Sequence, residues 1–185
     1  MAVPPSRSFT TIAHSGLLNV LKNNCGISQA YDPRSGGTPP VICEFEAIWD
    51  TGATNSVITQ KVVDACGLAP IGMAKVHGVS GESFAEKYLV NIRLPNQVMF
   101  AGARVTKGDL FGADILIGMD IINQGDFAVT NLGGVTKFSF RIPSQVHIDF
   151  VEEANKQIQS PQAPQSAGKP VRPKRPKTFG RNKKK

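Results

Sequence analysis

Short apolar runs separated by Gly, Pro or Asn fill residues 41–140, the pattern of a β domain. The run VICEFEAIW (41–49) predicts a long strand that leads into Asp50. In SVITQKVVDACGL (56–68) the apolar positions Val57, Ile58, Val62, Val63 and Cys66 fall close to helical spacing, which predicts a short helical turn ending near Gly67. AKVHGVSGESFAEKYLVNIRL (74–94) alternates on both sides of Gly78-Val79-Ser80-Gly81 and reads as a hairpin with a mobile tip. NQVMFAGARVTKG (96–108) supplies another strand or two. The unbroken apolar run ADILIGMDII (113–122), interrupted at Gly118, predicts a fully buried strand turning into a short helix. FAVTNLGGVTKFSFRI (127–142) reads as a hairpin turning at 131–134.

The flanks are less regular. Residues 1–15 are polar and proline-bearing and are expected to be a flexible N-terminal segment. In 17–31 the residues Asn23, Asn24 and Gly26 oppose a long helix, so one or two strands are expected. DPRSGGTPP (32–40) has loop composition. One domain is therefore placed at 16–142. A C-terminal extension, helix or strand, follows at 143–158. From 159 to 185 Pro, Gln, Ser and Lys dominate, too little apolar surface to offset ordering entropy, so a disordered tail is expected.

Charge separates the tail from the rest. The chain carries 21 Lys+Arg against 14 Asp+Glu, a net charge of +7, yet every acid lies before residue 154. The basic segment KPVRPKRPKTFGRNKKK suits a polyanionic partner, nucleic acid or an acidic protein surface, with a solubilising terminus as the plain alternative. The three cysteines, Cys25, Cys43 and Cys66, are far apart in sequence and show no C-x-x-C spacing, which speaks against a zinc site or a disulfide framework. No metal or other cofactor is expected. No apolar run approaches the ~20 residues of a membrane span, and the N-terminus lacks the layout of a signal peptide. A cytoplasmic protein with buried free thiols is the resulting expectation.

An acid at the end of an apolar strand is costly unless it is hydrogen-bonded or used. Asp50 is followed by a hydroxyl residue, Thr51, and by Gly52, whose backbone N–H can approach closely. The stretch AIWDTGATNSVI, the glycine-flanked hairpin some 25 residues later and ILIGMDII form an ordered set. With these elements the sequence resembles the retropepsin-like family of single-domain aspartic proteases over about residues 41–140. The resemblance implies an all-β, closed, barrel-like aspartic protease half-fold with a flap hairpin and one or two short helices. It implies an aspartic endopeptidase, a hydrolase in which Asp50, Thr51 and Gly52 form the catalytic loop. Ala53 and Thr54 would line the near subsites, and His77, Gly78, Val79, Ser80 and Gly81 would form a flap over an extended peptide or protein substrate. Ile117 and Gly118 would pack behind Asp50. Thr54 departs from the retroviral pattern, which usually has an acid there.

Only one D-[ST]-G is present, so the second carboxylate implied by the resemblance is Asp50 of another subunit, which makes a homodimer. The rival reading is a catalytically silent peptide- or partner-binding module of the same fold. Asp114 is expected to cap or bond backbone at its strand entry and Asp120 to begin or cap the short helix, while Asp109 and Asp126 fall in turns.

Overall fold

The computed structural model describes residues 5–78 and 81–159. The basic tail beyond 159 and the hairpin residues Val79 and Ser80 lie outside the described residues. The chain divides into two compact units at Val146/His147.

Among the described residues the first unit holds ten strands. They are β1 (Arg7–Ile12), β2 (Leu21–Gln29), β3 (Cys43–Trp49), β4 (Val57–Ile58) and β5 (Gly72–Gly78), then β6 (Gly81–Arg93), β7 (Met99–Lys107), β8 (Ile115–Ile117), β9 (Asp126–Thr130) and β10 (Lys137–Ile142). Two short helices join them, α1 (Gln60–Cys66) and α2 (Met119–Ile122). Seven strands make one sheet in the order β2-β3-β8-β4-β7-β6-β5. β2 also pairs with β6, from Gly26↔Arg93 to Gln29↔Val90, which closes the sheet into a barrel and leaves β5 as the outer arm of a hairpin. Closure explains why Cys25 through Ser28 are all buried, because β2 has a paired strand on each side and covered faces. In β3 the side chains alternate as a half-buried strand requires: Phe45, Ala47 and Trp49 point inward, Glu44 and Glu46 outward. Glu46 pairs with Lys22 of β2 at 2.8 Å, and Glu44 pairs with Arg93.

Local signals stop the elements where the spacing predicts. α1 ends at Gly67, whose φ of 59° is the left-handed cap conformation that a side chain would disfavour. The loop after β2 begins with a 3-10 turn at Pro33–Ser35, with Asp32 accepting from the Arg34 N–H at 2.9 Å. The second unit holds α3 (Phe150–Gln159), in which the Asp149 side chain accepts from the Val151 and Glu152 N–H groups. No helix among the described residues is long and apolar enough to cross a membrane.

The N-terminal region corrects an expectation. Residues 7–12 are an ordered strand, β1, that pairs antiparallel with β10 from Arg7↔Ile142 to Ile12↔Lys137. β10 pairs in turn with β9, giving a separate three-stranded sheet. The cause is long-range. Phe9 inserts among Trp49, Phe138 and Phe140, with ring centroids 5.6, 6.1 and 6.2 Å away. Trp49 also stacks on Phe127 at 5.5 Å and 7°. Such aromatic packing couples the barrel to the three-stranded sheet next to Asp50.

Asp126, the first residue of β9, is clasped from the far side of its hairpin. It accepts from the Gln145 N–H and the Arg141 Nε, each at 2.9 Å, and from the Ser144 hydroxyl. Burial would raise its pKa; the Ser144, Gln145 and Arg141 donors outweigh that and hold it at about 2.

Two outcomes follow for stability. Phe138 is wholly buried, so Phe138→Ala should cost about 3–5 kcal/mol in urea unfolding followed by the fluorescence of Trp49. The depressed pKa of Asp126 contributes stability that is complete above its ordinary value of 3.8 and is lost as pH falls toward about 2. Asp126→Asn should therefore lower stability at pH 6 and flatten its fall between pH 4 and pH 2, measured by denaturation at each pH.

Candidate active site

Asp50 lies on the loop 50–56, which joins β3 to β4. These two strands are not neighbours. β8 lies between them, parallel to β3 (Ala47↔Ile115 to Trp49↔Ile117) and antiparallel to β4 (Val57↔Leu116, Ile58↔Ile115). The loop is thus bridged by the end of a strand that comes some sixty residues later in sequence, and its backbone groups are satisfied there. The Asp50 N–H donates to the Ile117 carbonyl at 3.0 Å. The Met119 N–H donates to Ala53 at 2.8 Å and the Asp120 N–H to Thr54 at 3.1 Å.

Gly118 stands at the closest approach. A Cβ there would lie 2.7 Å from the Asn55 carbonyl carbon and 3.0 Å from the Ala53 oxygen, so no larger residue fits without moving backbone. Its N–H donates to the Ser56 Oγ at 3.1 Å, and that hydroxyl donates to Asp120 Oδ1 at 2.8 Å. The same Asp120 oxygen accepts from the Ile121 N–H at 3.1 Å. Asp120 thus sits in the first turn of α2 and locks the helix to the loop. Ser56 is fully buried and ties three segments together. Along the chain its only signal is a small polar residue at the start of an apolar run.

Asp50 itself is half-buried, with Thr51 and Gly52 exposed beside it. The Gly52 N–H donates to Asp50 Oδ1 at 2.8 Å, and the loop turns tightly enough that the Ala53 N–H reaches the Asp50 carbonyl at 3.3 Å. A donor aimed at a carboxylate oxygen fixes the orientation of the group.

A cleft of about 390 Å³ opens beside the loop. Gly52, Ala53, Thr54, Asn55 and Val57 line one side, Lys75 and Val76 of β5 the second, and Thr106 of β7 the third. The predicted residues Ala53 and Thr54 are therefore in its wall. Lys75, Val76 and Thr106 are wall residues that sequence reasoning missed, because only the pairing of β4 with β7 and the course of β5 bring them to the loop. His77 and Gly78 lie farther along β5, in register with Glu82 and Gly81 of β6.

The other acids go elsewhere. Asp114 pairs with Lys61 of α1 at 2.9 Å rather than with backbone, although its main chain does accept from the Thr59 N–H at 3.0 Å. Among the described residues no group of three or more His, Cys, Asp and Glu side chains is placed to hold a metal ion.

Residues 43–124 match a family model described as gag-polyprotein putative aspartyl protease. Among solved structures the chain is similar to a retropepsin-like aspartic protease from Rickettsia conorii, with 11% identity and a TM-score of 0.45, covering 76% of this chain and 98% of that one. It is similar to EIAV protease in complex with the inhibitor HBY-793, with 17% identity, a TM-score of 0.43 and coverage of 60% and 92%. It is also similar to the retroviral protease-like domain of Ddi1 from Leishmania major, with 20% identity, a TM-score of 0.39 and coverage of 60% and 82%. No curated protein matches the chain.

The loop's dependence on its bridge can be measured. Gly118→Ala must displace the 53–55 backbone and should destabilise by roughly 1–3 kcal/mol. Ser56→Ala leaves the Gly118 N–H buried without its acceptor and should cost about 1–3 kcal/mol. Urea unfolding of both variants, read by Trp49 fluorescence, checks these values.

Proposed function

We propose that this chain, whose residues 43–124 match a family model described as gag-polyprotein putative aspartyl protease, is an aspartic endopeptidase that works as a homodimer, with one Asp50 supplied by each subunit. The observation that carries the reading is the Asp50–Gly52 geometry. The carboxylate is fixed by an N–H donor at 2.8 Å on a loop bridged by β8, and the residues that follow it line a cleft whose second wall is β5 of the β5–β6 hairpin. A structural Asp at this position would be expected to be enclosed by its own fold.

Hydrolysis of a peptide bond without a covalent intermediate needs a base for the attacking water and an acid for the carbonyl oxygen and then the leaving nitrogen. Two carboxyl groups that share one proton across a two-fold axis meet both needs, because close like charges cannot both ionise. The ionised Asp50 takes a proton from water while the protonated one polarises the scissile carbonyl. The proton taken from water then passes to the amine as the tetrahedral intermediate collapses. In this reading Thr51 reaches across the axis to the other loop, which accounts for a hydroxyl residue standing exposed beside Asp50. Ala53 and Thr54 contact the nearest substrate side chains. The β5–β6 hairpin, including His77, Gly78, Val79, Ser80 and Gly81, closes over an extended substrate and pairs with its backbone as an added strand. Ile117 and Gly118 hold the loop from behind.

Asp50→Asn should abolish cleavage of a peptide library while leaving the unfolding midpoint nearly unchanged. A statine-type inhibitor should suppress the parent enzyme. Specific activity should fall on dilution as subunits separate. Undiminished cleavage by the Asn variant would refute the assignment. Peptide binding without turnover by the parent protein would instead identify a silent binding module.

A further inference from the structure

Two of the three cysteines, remote in sequence, meet in the fold. Cys43 opens β3 and Cys66 closes α1, which packs on β2 and β3. Cys43 is in register with Ile27 of β2, and the Cys66 thiol reaches the Ile27 carbonyl at 3.6 Å. From the other side the Cys43 thiol reaches the carbonyl of Ala65, the neighbour of Cys66, at 3.8 Å. These two contacts make the thiols neighbours across the junction of α1 with β3. Both are only half-buried, whereas Cys25 is 1% exposed.

We infer that Cys43 and Cys66 are a reversible disulfide site, whose oxidation closes residues 43–66 into a covalent ring that contains the whole Asp50 loop. Two thiols held as neighbours make the second step of thiol–disulfide exchange intramolecular, so a mixed disulfide formed at either one is resolved by the other. Burial, together with the adjacent Cys43, pushes the Cys66 thiol up to about 12, so at neutral pH Cys66 is held protonated and exchange begins at Cys43. The oxidant is a low-molecular-weight disulfide. The Cys43 thiolate attacks its S–S bond, forming a mixed disulfide and releasing one thiolate. Cys66 gives its proton to solvent and attacks the Cys43 sulfur, expelling the second thiolate. The two cysteines lose two electrons and two protons, and the reagent gains both as two thiols.

The ring ties the end of α1 to the start of β3, the two outer supports of the loop. A cross-link here restricts the unfolded chain while joining groups that the native fold already holds together. It stabilises the segment without altering the Asp50 geometry. Cys25 is the internal control. Its thiol is enclosed in the core, and burial with the nearby Glu44 carboxylate pushes it up to about 12.

The test uses the full chain, reduced and then treated with oxidised glutathione at pH 8, alkylated, and mapped by mass spectrometry without reduction. The expected product is a single intramolecular Cys43–Cys66 link, with Cys25 alkylated only after unfolding. The linked form should melt roughly 5 °C or more above the reduced one. Cys43→Ser and Cys66→Ser should each lose the link and its thermal gain. Stable glutathione adducts on both thiols, links between chains, thiols that stay free, or a link that leaves the melting temperature unchanged or lowers it would each overturn the proposal.

Discussion

Apart from two hydrogen bonds within its own turn, the loop that carries Asp50 is held by a segment far away in the sequence. Its partners are the Ile117 carbonyl and the N–H groups of Gly118, Met119 and Asp120, delivered by β8 between the two arms of the loop. Buried backbone groups must be paired, so the loop can hold its shape only when β8 is in place. Gly118 is the point of closest contact, and Ser56 with Asp120 links that contact to the first turn of α2. The position of the carboxylate is therefore a property of the closed barrel and not of the D-T-G triplet alone.

A second constraint fixes the base of the loop. Trp49, the residue before Asp50, is clamped between the barrel and the three-stranded sheet by Phe9, Phe127, Phe138 and Phe140. Its indole N–H also donates to Asn23 Oδ1 at 3.0 Å. The strand that leads into the site is thus held by packing on one side and by β8 on the other, while Asp50 stays half-exposed beside the exposed Thr51 and Gly52. This combination of a rigid loop and an accessible carboxylate is what the proposed pairing of two Asp50 groups requires, because each subunit must present its half of the site already formed.

Much of this was legible locally. The entry strand of β3, the helical spacing of α1 with its Gly67 stop, the β5–β6 hairpin, the buried run of β8 turning into α2 and the β9–β10 hairpin all follow from periodicity and turn residues. Those signals act over one strand or one helical turn, so they survive in a single sequence. The short β4 and the ordered β1 do not have that character. β1 is polar, short and next to prolines, and it is a strand because β10 and the aromatic cluster are there to receive it. Ser56, Lys75, Val76 and Thr106 were silent for the same reason: none is next to Asp50 along the chain.

The sequence by itself determined the β class of the domain, the helical stops and the identity of the acid with its Thr51-Gly52 turn, because each depends on neighbouring residues. The tertiary structure alone decided that β8 bridges the loop, that Phe9 packs against the core, that Asp114 pairs with Lys61, and that the Cys43 thiol meets the end of α1 beside Cys66. Each of these joins positions far apart in the chain. Such a contact forms only once closure of the barrel has met the entropy of bringing its ends together, and no local pattern encodes which distant residue will be opposite.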